Sequence, residues 1–113
     1  MNNKDPKIYL QHVKDCIVQI RTYSRDITEQ DFYDNDLIQD GVVHRLIIIG
    51  EAVKNIPVDI KEMQTNIPWK KIAGFRDILV HEYYDVDLKE VWNTVQTKLG
   101  ELESAVDLLL KEV

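Results

Sequence analysis

The chain predicts an all-α fold, a compact up-and-down bundle of about four main helices plus a short one. Apolar positions recur at three-to-four-residue spacing along almost the whole sequence. Four glycines and three prolines in 113 residues leave long uninterrupted stretches, and no repeat, low-complexity tract or linker divides them. One core suffices at this length, so residues 1–113 read as a single domain.

The first helix is expected from about Asp5 to Tyr23, with Ile8, Val13, Cys16, Ile17 and Ile20 turned inward. Thr28 then reads as an N-cap, and Ile27 and Phe32 occupy the two positions of a hydrophobic staple, opening a short helix that ends near Tyr33. A third helix spans roughly Asp36 to Asn55 and is closed by Pro57. Its wide stripe of Leu37, Val42, Val43, Leu46, Ile47, Ile49 and Val53 suits a central helix contacted on several sides. Pro68 fits the first position of a fourth helix reaching about Val80. Asp87-Leu88-Lys89-Glu90 has the form of a capping box and opens the last helix, Leu88 to Lys111. There Leu88, Val91, Trp92, Val95, Leu99, Leu102, Val106 and Leu109 keep helical spacing. Trp69 and Trp92 read as core and interface anchors.

Composition narrows the function. With 44% hydrophobic and 30% charged residues the chain is an ordinary globular sequence. Its longest apolar run, Leu46-Ile47-Ile48-Ile49, is far short of the roughly 20 residues that span a bilayer, so no membrane role is expected. Met1-Asn2-Asn3-Lys4-Asp5 lacks the order of a signal peptide, and a lone Cys16 excludes an internal disulfide. A reducing cytoplasm is the default location. The net charge of −6 gives no long-range attraction to phosphate, so a nucleic-acid role needs a local basic pocket. No glycine-rich phosphate loop and no metal-ligand spacing occur, so neither cofactor nor metal is expected.

Arg76-Asp77-Ile78-Leu79-Val80-His81, followed by Glu82-Tyr83, carries the chemistry. An arginine offers a fixed cation whose fork of donors matches a phosphate, and a histidine gives or takes a proton near neutral pH. In an unbroken helix five residues separate two side chains by ~140° around the axis and ~7.5 Å along it. The pair therefore shares a face only if the helix ends or bends between them, which favours His81 at or beyond the helix terminus with Arg76 reaching back over the last turn. The spacing alone leaves open a plainer reading, an arginine in a surface ion pair and a histidine capping a helix C-terminus. Glu51 follows a strongly apolar run. Either it turns inward to a cation such as Arg45 or Arg76, or it lies on a solvated face. Tyr83 and Tyr84, in the acidic joint before the last helix, read as half-buried props of the bundle end, with an exposed phenol open to modification as the alternative; of the two, Tyr84 is the one expected to pack. His12 carries no signal.

Gln39-Asp40 through Ile47-Ile48-Ile49-Gly50-Glu51-Ala52-Val53-Lys54-Asn55-Ile56-Pro57, then Ile67-Pro68-Trp69-Lys70-Lys71-Ile72-Ala73-Gly74-Phe75-Arg76, and later Val86-Asp87-Leu88 and Val91-Trp92, give the chain a recognisable signature. With the string ending at Tyr83, these residues resemble the HepT-like members of the HEPN superfamily, the toxin half of prokaryotic HepT–MntA modules. The resemblance implies a HEPN-like helical bundle that forms a homodimer, with two Arg-x4-His segments facing each other. It also implies metal-independent ribonuclease activity with Arg76, Asp77 and His81 as catalytic residues, and Glu51, from its place after the apolar run, is a candidate to support them. The RNA substrate is open between tRNA and mRNA. A cognate MntA-like nucleotidyltransferase antitoxin would adenylylate Tyr83. The family commonly carries asparagine where this chain has Asp77, which adds negative charge beside the phosphate site. A non-catalytic helical partner and adenylylation substrate of such an enzyme is the alternative reading.

Overall fold

Local capping fixes most helix starts in the computed structural model, which describes residues 5–113; the expected lack of a leader in residues 1–4 lies outside it. Asp5 accepts from the Lys7 amide at 2.9 Å and opens α1, Pro6–Ser24. Thr28 and Asp31 cap each other reciprocally at 2.9 and 3.0 Å and start α2, Glu29–Tyr33. Asn35 accepts from the Ile38 amide at 3.0 Å and starts α3, Asp36–Asn55. Pro57 then leads into the one-turn α4, Val58–Lys61, and a 3-10 turn, Glu62–Gln64. Helix α5 is Trp69–His81, with Pro68 as its cap rather than its first residue. A second 3-10 turn, Tyr83–Asp85, precedes α6, Leu88–Thr97, and α7, Leu99–Glu112.

Helix α3 is central. It packs on α1 along one side and on α5 along another, while α7 covers α1. Phe32, Leu10, Ile17, Ile20, Ile49, Leu79 and Leu109 are fully buried in one apolar cluster. Trp69 is an anchor, as its position suggests: its indole N–H donates to the Lys61 and Gln64 carbonyls at 3.0 and 3.1 Å, closing the turn before α5. The Trp92 ring lies 5.4 Å from that of Phe32, tying α6 to α2. Lys14 bridges Glu103 and Asp107, and Arg21 also pairs with Glu103, so charge joins α1 to α7 outside the core. No helix among the described residues is long and apolar enough to cross a membrane.

Several expectations need correction. The last helix is broken at Lys98. The hydroxyls of Thr94 and Thr97 bond back to the carbonyls of Glu90 and Asn93, a pattern that bends helices, and Gly100 follows at once. The apolar spacing continues across the break, which hides it from periodicity. The Asp87 cap is half of a capping box: Asp87 accepts from Lys89 and Glu90, while the Glu90 side chain lines a groove beside α5. Ile8 and Leu37 are exposed rather than inward, both in the first turn of their helices, where no neighbour covers them.

Candidate functional site

Gly50 builds the site. A Cβ added there would collide with the Arg76 Cβ and stand 2.7 Å from its Cγ. Only glycine lets α5 lie this close to α3, and the closeness puts the Arg76 guanidinium beside Glu51, the next residue of α3. Arg76 Nη2 meets Glu51 Oε2 at 2.9 Å, and Nη1 meets Asp77 Oδ1 at 3.0 Å. Lys54, one turn along α3, reaches the same Asp77 oxygen at 2.6 Å. Glu51, Arg76, Asp77 and Lys54 thus form a chain of alternating charge across two helices.

The Lys54 ammonium, with the Arg76 guanidinium, holds the Asp77 carboxyl below its ordinary range. The extra negative charge at Asp77 is therefore offset within the network. Arg76 is held, not free: its side chain is 23% exposed, and Nε is enclosed without a partner among the described residues. A guanidinium carries five N–H donors, so two on the Nη atoms remain for an incoming phosphate.

Helix α5 ends at His81, whose side chain is exposed. Tyr83 follows in the 3-10 turn at 63% exposure. Tyr84 does not pack on the bundle end: it is 90% exposed, and its ring contacts only that of Tyr83 in the aromatic pairs here, at a centroid separation of 4.6 Å. The short turn has no room to bury either ring, and the two lie against each other in solvent. The structure thus joins Arg76, Asp77 and Glu51 directly and sets His81 and Tyr83 one to two turns beyond them. No group of three or more metal-ligating side chains occurs among the described residues.

Sequence reasoning missed three participants. Lys54 shares a face with Glu51 at a spacing of three, a signal present but unremarkable on a helix. Asn55 and His12 line a cleft with Arg76 and Glu51. Nothing in the α1 sequence marks His12, because its neighbours come from α3 and α5.

Residues 13–109 match the family model described as "Ribonuclease HepT-like". The chain belongs to the HepT-like ribonuclease family. A Methanocaldococcus jannaschii protein named "Gamma-glutamylcyclotransferase and putative RNase" is 41% identical over 97% of the chain, which spans only 50% of that protein. A "Putative RNase" of Caldanaerobacter subterraneus is 38% identical, covering 96% of this chain and 97% of its own length. "Probable ribonuclease HepT" of Thermococcus cleftensis is 38% identical over 93% of this HepT-like chain and 96% of its own. No solved structure matches.

Proposed function

We propose that this HepT-like chain is the ribonuclease toxin of a toxin–antitoxin module and cleaves RNA by transesterification. The observation that carries the reading is Arg76, fixed by Gly50 between two carboxylates on the helix that ends at an exposed His81. The 2′-oxygen attacks the adjacent phosphorus and the bond to the 5′-oxygen breaks. One imidazole removes the 2′-hydroxyl proton, another protonates the departing oxygen, and the guanidinium offsets charge on the non-bridging oxygens. A two-fold homodimer supplies the second His81. Exposed Ile78, Val80 and Tyr83 near the end of α5 give a second copy apolar surface to cover. Adenylylation of Tyr83 by a cognate MntA-like nucleotidyltransferase would set an anionic phosphate two residues from His81 and obstruct RNA.

One observation favours a second reading. Both Nη atoms of Arg76 already meet carboxylates, which weakens its hold on RNA and suits a non-catalytic partner whose Tyr83 is merely modified. Purified protein without its partner, tested on RNA in EDTA, separates the two. Cleavage leaving 2′,3′-cyclic phosphate ends, lost in His81→Ala and Arg76→Ala with the fold intact, supports the ribonuclease. Full activity in His81→Ala overturns the assignment, and a monomer by light scattering at micromolar concentration overturns the shared site.

A further inference from the structure

A cleft of about 320 Å³ opens where α1, α3 and α5 meet, on the flank of Arg76. Tyr9 and His12, one turn apart on α1, form one wall, and Ile47, Ile48 and Ala52 contribute apolar surface. Glu51 and Asn55, one turn apart on α3, supply the polar edge. Resting on the ribonuclease reading, we infer that this cleft receives one unstacked nucleobase of the RNA beside the phosphate held by Arg76, and favours bases that carry an exocyclic amino group.

The chemistry of the walls argues for a base. Single-stranded RNA is recognised through splayed bases that lie on aromatic rings, histidine included, with their edges read by hydrogen bonds. The volume is at the small end of ligand pockets, enough for one base and not for an extended ligand. The polar edge presents acceptors. Glu51 spends Oε2 on Arg76, leaving Oε1, and Asn55 spends an Nδ2 hydrogen on the Glu51 carbonyl at 2.9 Å, leaving Oδ1. Adenine, cytosine and guanine offer amino donors to such a pair. Uracil has a single N–H, set between two carbonyl oxygens, so it can satisfy only one of these acceptors and brings an oxygen toward the Glu51 carboxylate, with the second Asn55 Nδ2 hydrogen as its only compensating donor on this edge. The same Arg76 that borders the cleft carries free Nη hydrogens, so base and phosphate would be held on adjacent surfaces.

Short single-stranded RNAs differing only in the base beside the cleavage site test this, with wild type, His12→Ala, His12→Phe and Asn55→Ala. His12 and Asn55 are exposed, so the fold tolerates these changes. The expected result is poorer cleavage beside uracil, with KM raised about tenfold in His12→Ala at unchanged kcat. His12→Phe should restore KM, and Asn55→Ala should flatten the base preference. An enzyme that cleaves RNA while both alanine variants keep the wild-type KM and base profile overturns the cleft and leaves the ribonuclease standing. If wild type cleaves nothing, NMR titration with cytidine and uridine monophosphates decides the matter. Shifts at Tyr9, His12 and Asn55, stronger with the cytidine nucleotide and lost in His12→Ala, uphold the cleft and overturn the ribonuclease; no shifts overturn both.

Discussion

Replacing Gly50 with alanine isolates the contact on which the site depends. In an ordinary helix interior the change stabilises by about 0.5–1 kcal/mol, since alanine loses less backbone freedom. At Gly50 the new methyl would be 2.7 Å from Arg76 Cγ and 3.4 Å from its Cα, where carbon atoms rest at about 3.5–4.0 Å. The tightest clash is with Arg76 Cβ, which no change of rotamer can move, so relief requires α5 to withdraw by about 1.5 Å. Overpacking costs about 1–3 kcal/mol, and a clash with a backbone-fixed Cβ belongs in the upper half of that range, so against the propensity gain a net loss of about 1–2.5 kcal/mol remains. The melting temperature should fall by roughly 5–10 °C. Cleavage should fall further than stability does, by about a hundredfold, because the guanidinium and His81 no longer meet the same phosphate. Gly74→Ala is the control: the added methyl has nothing within 4 Å, so the propensity gain should appear alone as a rise of a few degrees. Circular-dichroism melts and RNA cleavage on both variants check this. A Gly50→Ala protein that melts at or above the wild-type temperature with full activity refutes the close-contact account.

Three further outcomes follow from the ion pairs and the tyrosine turn. Lys14 first, then Arg21, hold the Glu103 carboxyl below its ordinary 4.5, so its stabilisation exists above that value and is lost as pH falls through the lowered one. Glu103→Gln should therefore lower the melting temperature at pH 7 and make no difference near pH 2; an equal loss at both would show that the charge is irrelevant. Asp77→Asn removes one carboxylate from Arg76 and should lower the KM for RNA several-fold, whereas an unchanged KM would mean that the aspartate does not compete with phosphate. Tyr83→Phe should escape modification by a nucleotidyltransferase antitoxin with ATP while Tyr84→Phe is still modified. Because both rings are exposed, intact-mass and peptide mapping must locate the adduct, and an adduct on Tyr84 would reverse the assignment.

Helix starts were legible because their signals are local. Thr28 and Asp87 cap the helices that their sequences announce, and His81 is the last residue of its helix, at the terminus the spacing favoured, although α5 runs unbroken from Arg76 to it with no end or bend between them. The break at Lys98 was not legible, since the hydroxyl back-bonds that bend the chain leave the apolar rhythm of Leu99, Leu102 and Val106 intact. At the site, the sequence left Glu51 between a solvated face and a cation such as Arg45 or Arg76; it is exposed and still meets Arg76, a choice decided only by helix packing. Gly50 stood in the signature without a visible reason, because its reason is the Arg76 side chain 26 residues on. The tyrosines misled because such rings in a joint usually prop the bundle end half-buried, and this turn is too short to bury either.

The one-sided seating of α5 has a kinetic consequence. Its α3 flank is tightly engaged at Gly50, while its other side borders an open groove of about 810 Å³ under the α6–α7 break. A segment held along one flank opens at less cost than the whole protein unfolds. Amide hydrogens of α5 should therefore exchange with solvent faster than those of α1 and α3, at a rate set by local detachment. Such a detachment would carry Arg76 and His81 away together, since they ride the same rigid rod, leaving Glu51 and Lys54 behind on the clamped helix.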